Sequence, residues 1–320
     1  MLYQILKIWV ALAAKIFCRK IIINNPEVLK MEGPLLLAAN HPNSFLDAIL
    51  LDILFKKPVW SLARGDVFKK PFYIKLLTKL KILPVYRTSE GVENLDTNYK
   101  TFDACKEIFK RKGTVLMFSE GKCINEWHLR PLKKGTARLA ISSWQDDIDV
   151  KVLPVSINYS SFRRFGKNIF LNFGSIISKK NIDINESDGK KHQAFNDKLR
   201  QELQHSIFEI QKEDKQLQEK LLVIKPAMIF KILFALPALT GLLLNAPLYL
   251  PVRYFTRSRT SDTDHYDSVL IALLIFLYPL YLLLIGFILF FFTGSWLSFL
   301  AFIVFPFTAW AYVRLKRQLD

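Results

Sequence analysis

Cysteine is scarce in this chain of 320 residues: Cys18, Cys105 and Cys123 stand far apart. Three scattered thiols exclude a disulfide framework and lack the paired spacing of a zinc site, so a reducing compartment is the default. Glycine (12) and proline (14) are also few, while 51% of the residues are apolar. That balance excludes collagen-like and disordered chains. There is no glycine-rich nucleotide loop, no internal repeat and no His/Cys/Asp/Glu cluster with ligand spacing, so neither a metal nor a bound cofactor is expected. Acidic side chains are outnumbered, 28 against 45 Lys and Arg, for a net charge of +17. Residues 226–320 hold only seven of the basic and four of the acidic side chains, leaving 38 and 24 before them. A basic first part joined to an apolar second part suits an anionic partner, either nucleic acid or anionic lipid.

The longest absence decides between these partners. Residues 268–313 contain no Asp, Glu, Lys, Arg or His. A membrane-spanning helix needs about 20 apolar residues, so these 46 suffice for two. Thr293, Gly294 and Ser295 interrupt the run at its midpoint, predicting a transmembrane hairpin of residues 268–292 and 296–313. A second uncharged run, 232–252, carries Pro237, Asn245, Pro247 and Pro251. Arg253, Arg257 and Arg259 follow it, and Arg314, Lys316 and Arg317 follow the hairpin. Basic flanks stay on the cytoplasmic side, and both clusters do so only if 232–252 does not cross. A re-entrant or interfacial segment is therefore expected there. The protein reads as integral to the membrane with its soluble part on the cytoplasmic face, and nucleic acid is not expected as a partner.

At the N-terminus Leu2, Ile5, Leu6, Trp9, Val10, Ala13, Ile16 and Phe17 recur at helical spacing, with Lys7, Lys15, Arg19 and Lys20 largely outside that stripe. This predicts an interfacial amphipathic helix over residues 1–20. A signal peptide is the rival reading, but Lys15 breaks its apolar core; a helix packed on the domain is the other. Between residues 21 and 190, short apolar runs (34–39, 59–63, 83–86, 114–118, 150–159, 169–173) alternate with helical stretches (41–55, 71–80, 99–111, 136–143). The alternation predicts an α/β domain with a buried sheet flanked by helices. Residues 191–225 read as one amphipathic connecting helix carrying Phe195, Leu199, Leu203 and Phe208, leading to the membrane region at 226–320.

The first apolar run ends in Asn40-His41-Pro42-Asn43-Ser44-Phe45-Leu46-Asp47. His41 with an Asp six positions on can make a base and its orienting carboxylate. A continuous helix would place the two on different faces, so His41 must lie in a turn, with Ser44 as helix cap. By itself the pair is equally readable as a turn histidine and a Ser44–Asp47 capping box.

The block resembles the signature of the glycerophospholipid acyltransferase superfamily, which includes glycerol-3-phosphate and 1-acylglycerol-3-phosphate acyltransferases. Three further blocks follow in that family's order. Ala63-Arg64-Gly65-Asp66-Val67-Phe68 with Leu83-Pro84-Val85-Tyr86-Arg87 resembles the second, Met117-Phe118-Ser119-Glu120-Gly121-Lys122 the third, and Val152-Leu153-Pro154-Val155-Ser156 the fourth. Two departures stand out. Five residues, not four, separate His41 from Asp47, a spacing similar to the yeast-type glycerol-3-phosphate acyltransferases. Ser119 and Lys122-Cys123 stand where the family has Pro and Thr-Arg.

The resemblance implies a membrane-bound O-acyltransferase with the family's α/β sheet. Acyl-CoA or acyl carrier protein would be the co-substrate, and a phosphorylated glycerol or lysolipid the acceptor. His41 would be the general base, Asp47 its orienting partner, and Arg87 a phosphate ligand. Lys122, Lys133 and Lys134 would replace the charge of the missing Arg, and Asn40, Ser44, Glu120 and Gly121 would support the site. His128, His192, His205 and His265 have no motif partner and read as ordinary surface histidines. Acylation of another lysolipid, or a silent anionic-lipid-binding scaffold, are the alternative readings.

Overall fold

The computed structural model describes residues 1–86 and 95–320. Among them seven strands form one sheet: β1 (Cys18–Ile23), β2 (Leu35–Ala39), β3 (Val59–Arg64), β4 (Ile82–Val85), β5 (Thr114–Phe118), β6 (Lys151–Tyr159) and β7 (Lys167–Phe173), in the order β1-β7-β6-β2-β5-β3-β4. All neighbours are parallel except β6 and β7. β2 is central. Its Leu-Leu-Leu-Ala-Ala run has no polar alternation because helices cover both faces, and all five residues are fully buried. Leu35, Leu37 and Ala39 face one core layer with Phe55 and Phe173. Leu36 and Ala38 face the other, with Trp144 and Phe195. Each fully buried leucine contributes about 1.5–3 kcal/mol.

The first layer is covered by α1 (Leu2–Phe17) and α2 (Phe45–Leu54), the second by α4 (Leu95–Lys110), α5 (Lys134–Gln145) and α6 (Asp188–Gln204); α3 (Pro71–Lys79) lies outside both and buries no residue. The predicted N-terminal helix stops at Phe17, and residues 18–20 enter the sheet as β1, which sequence patterning missed because Arg19 and Lys20 hide a strand on the sheet edge. Lys7, expected on the basic edge of α1, turns inward to the carbonyl of Phe55 (2.9 Å), while Leu2, Ile5, Ile8, Trp9 and Leu12 remain exposed. The expected connecting helix at 191–225 is two helices, α6 and α7 (Lys215–Leu222). Burial of Ile207 and Ile210 against the core breaks it: Ile210 bridges to Trp127, and Glu209 adopts a positive φ to let the chain dip.

The C-terminal region holds α8 (Met228–Thr260), α9 (Tyr266–Thr293) and α10 (Ala301–Leu315), the last continuing a short 3-10 turn from Trp296. All three stretches are long and apolar enough to cross a membrane. Gly294 closes α9 in the left-handed conformation (φ 64°), its N–H bonded to the Phe290 carbonyl. The hairpin leaves the α/β layers and returns to them. At its start Asp267 pairs with Lys167, and at its end Gln318 bonds Asn168 (2.6 Å) and Asp320 bonds Ser161 (2.6 Å).

Residues 232–252 do not turn back: they lie inside one continuous α8, which replaces the re-entrant form of that expectation. α8 runs through Pro237, Pro247 and Pro251, and two side-chain bonds add to its backbone in the turns before Pro247. Asn245 donates to the Gly241 carbonyl (2.9 Å) and Tyr281 to that of Leu244 (2.6 Å). Both ends of α8 touch the α/β domain. Ile224, four residues before it, donates to Gln318, which Asn168 of β7 holds, and Arg163 donates to the Ser261 carbonyl at its far end.

Candidate functional site

The parallel register assembles the site. Ala39 at the carboxyl end of β2 is level with Phe118 of β5 on one side and Val155 of β6 on the other. The residues that follow, His41 from β2 and Glu120 from β5, therefore emerge side by side at the carboxyl edge, where open α/β sheets place their sites. Tyr159 closes the opposite side from the end of β6.

His41 lies in the turn before α2, not in the helix, and its Nδ1 is 2.8 Å from Asp47 Oδ2. Asp47 is fully buried and accepts two more hydrogen bonds, from the Asn43 N–H (2.8 Å) and from the Tyr159 hydroxyl (2.7 Å). Burial, with the Asp47 carboxylate beside it, pushes the Tyr159 phenol well above its ordinary value, so it remains a donor. A carboxylate facing Nδ1 fixes the imidazole as the Nδ1–H tautomer, which leaves the lone pair on Nε2. The His41 side chain is 17% exposed, and its ring stacks on Phe118 with centroids 3.7 Å apart and planes 11° apart. One imidazole nitrogen is held and the other has no hydrogen-bond partner among the described residues, an arrangement that can take up a proton. Tyr159→Phe leaves Asp47 Oδ1 without its donor; an expected loss of about 1.5–3 kcal/mol, read from the thermal or denaturant midpoint, checks the third bond.

Glu120 is 3% exposed and acts on the backbone: its Oε2 accepts the His41 N–H (2.8 Å) and its Oε1 the Arg130 N–H (2.9 Å). The Arg130 guanidinium adds a bond to Oε2 (3.1 Å), pairs with Glu126 (3.3 Å) and donates to the carbonyl of Lys122. Arg130 had no motif to announce it. The cation beside Glu120 therefore comes from eight residues beyond Lys122. Gly121 turns the chain at φ +69°, its N–H bonded to Phe118 O (3.1 Å), and an added Cβ would press on the Lys133 stem at 3.1 Å. Asn40 joins β2 to β6 by paired bonds to the backbone of Ile157.

Lys122, Lys133 and Lys134 are exposed on the loop that carries Glu120 and runs into α5. The Lys133 N–H donates to Ser119 O (2.7 Å). Arg87 lies outside the described residues. Ser44 sits at the cap position of α2, but its side chain does not cap the helix. Its backbone is left-handed (φ 51°), which swings Oγ away from the first turn and onto His265 Nδ1 (2.7 Å). The capping-box reading is corrected accordingly, since Asp47 accepts from Asn43 and His41 instead. His265, expected as an ordinary surface histidine without a motif partner, is an exposed turn residue that bonds Ser44. Sequence reasoning also missed Asn43, Cys123 and Asp267, which are buried around this turn. The Cys123 thiol accepts the Ser44 N–H (2.9 Å), and burial, reinforced by the nearby Asp47 charge, pushes its pKa up, so it is not poised as a nucleophile.

A family model described as Acyltransferase matches residues 20–158. Among solved structures, this chain is similar to the crystal structure of the 1-acyl-sn-glycerophosphate (LPA) acyltransferase, PlsC, from Thermotoga maritima. The identity is 17% and the TM-score 0.43, covering 64% of this chain and 74% of that one. No curated protein matches.

Proposed function

We propose, from the premise that residues 20–158 form an acyltransferase-family domain, that this protein is a membrane-bound O-acyltransferase of phospholipid synthesis. The acyl group would pass from acyl-CoA or acyl carrier protein to a hydroxyl of glycerol-3-phosphate or 1-acylglycerol-3-phosphate. One observation carries the reading: a partly exposed imidazole whose Nδ1 is locked to a buried carboxylate, beside apolar helices suited to a bilayer.

The chemistry follows from that geometry. The acceptor hydroxyl gives its proton to His41 Nε2 as its oxygen forms a bond to the thioester carbonyl carbon. The tetrahedral adduct then collapses with cleavage of the C–S bond, and the imidazolium returns the proton to the leaving thiolate. No acyl-enzyme is required. Asp47 stabilises the imidazolium while it exists, and Glu120 holds the backbone of His41 in place. The acceptor phosphate is assigned to Arg87 with Lys122, Lys133 and Lys134, because fixed cations recognise phosphate and these flank the third block.

The hairpin α9–α10 would span the bilayer, with the basic residues at the C-terminal ends of α8 and α10 on the cytoplasmic side together with the α/β domain. α8, tied to the domain at both ends, would lie along the interface. Both the acyl chain and the product then stay in lipid while the thioester is handled at its surface.

The test offers labelled glycerol-3-phosphate and labelled 1-acylglycerol-3-phosphate in membranes, each with palmitoyl-CoA and with palmitoyl carrier protein. A monoacyl product from the first acceptor or a diacyl product from the second is expected. Transfer to neither above the protein-free background would overturn the assignment and redirect it to unphosphorylated lysolipids.

A further inference from the structure

The turn that joins α8 to α9, residues 261–265, is seated on the turn that carries the base. Each of the three residues between His41 and α2 is tied to it or to the first turn of α9. The Pro42 carbonyl accepts from Asn125 (2.8 Å), whose own backbone N–H donates to Asp264 Oδ1 (3.1 Å). The Asn43 amide donates to Asp267 Oδ2 (2.7 Å). Ser44 Oγ meets His265 Nδ1, and the Ser44 N–H rests on Cys123, whose thiol reaches the Asp264 carbonyl.

Two features separate this from ordinary packing. Asp267 forms an ion pair with Lys167, and both side chains are fully buried. Burying two charges is expensive, and substituting apolar groups for such a pair is often neutral for stability. The pair therefore contributes something other than net stability, and here it fixes where Asp267 presents its oxygen. That oxygen holds Asn43, and the Asn43 backbone N–H holds Asp47. Second, Ser44 occupies a positive φ that a residue with a side chain rarely adopts, and its side-chain and backbone partners are His265 and Cys123.

We infer that the α8–α9 turn is a working part of the transfer site, with Asp267 and His265 as positioning residues for the His41–Asp47 pair. The chain Lys167–Asp267–Asn43–Asp47–His41 runs unbroken from β7 through the first residues of a membrane helix to the base. The geometry of the base is then correct only while the two helices are docked on the α/β domain. This rests on the proposed role of His41.

The experiment uses the full chain in lipid nanodiscs. His265→Ala touches an exposed side chain and removes only the bond to Ser44. It is expected to lower kcat about tenfold with the acceptor KM within about twofold, the split expected for a group that acts on geometry instead of binding. His265→Asn, which restores a polar atom near the Nδ1 position, is expected to recover most of the loss. Ser44→Ala combined with His265→Ala should cost no more than the worse single change, because both remove one bond. For the buried arm, Lys167→Met with Asp267→Leu removes the pair without stranding a charge, and a loss in kcat of about 30-fold with the melting temperature within a few degrees is expected.

The rate at which diethyl pyrocarbonate modifies His41, read by mass spectrometry of its peptide, reports the same geometry without turnover. It should rise about threefold in both variants as the ring loses its restraints. Wild-type kcat and an unchanged modification rate in the folded variants would overturn the inference and leave the acyltransferase reading intact. A raised rate in a protein that transfers no acyl group would uphold the positioning and sink that reading.

Discussion

His41→Ala is expected to lower kcat/KM for acyl transfer by about 10²–10⁴-fold, the usual contribution of a positioned general base. The protein should stay folded, because the imidazole is partly exposed, its ring contact is with Phe118, and its polar partner among the described residues is Asp47. Truncation does leave the Asp47 oxygen without the His41 donor, but Asn43 and Tyr159 still satisfy that carboxylate. The lysines proposed to bind the acceptor phosphate on the Glu120 loop are untouched, so the acceptor KM should change little. Steady-state rates with excess acyl donor, alongside a melting curve, check this. Retention of more than about a tenth of wild-type activity would mean that another group takes the acceptor proton.

Asp47→Asn separates two roles that the sequence left open. The amide keeps nearly the same shape and can turn its oxygen toward His41 and the Asn43 N–H, with its NH₂ against the Tyr159 oxygen. The tautomer of His41 is then preserved and only the negative charge is lost. The imidazolium formed during transfer would face a neutral amide in a buried site, where a neighbouring charge counts for more than in water. A fall in kcat of about 10²–10³-fold is expected on that ground. A pure helix cap predicts the reverse, a small change in rate and a stability loss of about 1 kcal/mol. Parallel measurement of kcat and the unfolding midpoint distinguishes them. Together with His41→Ala, the double variant should be no slower than the worse single one, since both residues act in the same proton transfer.

Much of the α/β domain is legible in the linear pattern because β2, β5 and β6 are buried on both faces and so read as unbroken apolar runs. The hairpin is legible for a related reason. A bilayer tolerates no charge along about 20 residues, and Gly294 marks the one place where the run can reverse. Edge elements are less legible. β1 carries Arg19 and Lys20 because an edge strand need not be apolar, and its polarity resembles a loop. The break between α6 and α7 depends on Ile207 and Ile210 finding a core that only the folded sheet supplies.

The site divides along the same line. His41, Asp47, Glu120 and Gly121 stand in contiguous blocks, and short-range order along the chain is what a sequence records directly. Their convergence required the parallel register that sets Ala39 level with Phe118. Arg130, Tyr159, Lys167, His265 and Asp267 reach the site from 89 to 226 residues beyond His41 when counted from the numbering, and nothing in their local sequence marks them. A side chain's type and its neighbours along the chain fix its intrinsic chemistry and local backbone preference; its partners are chosen by packing. By itself, then, the sequence singled out His41 and Asp47, the buried sheet and the apolar hairpin. Only the tertiary structure decided which donors complete Asp47, which cation sits on Glu120, and that the turn and first residues of α9 contact the turn carrying His41. Hydrogen bonds act over about 3 Å, and closeness on that scale between residues so far apart in the chain exists only after folding.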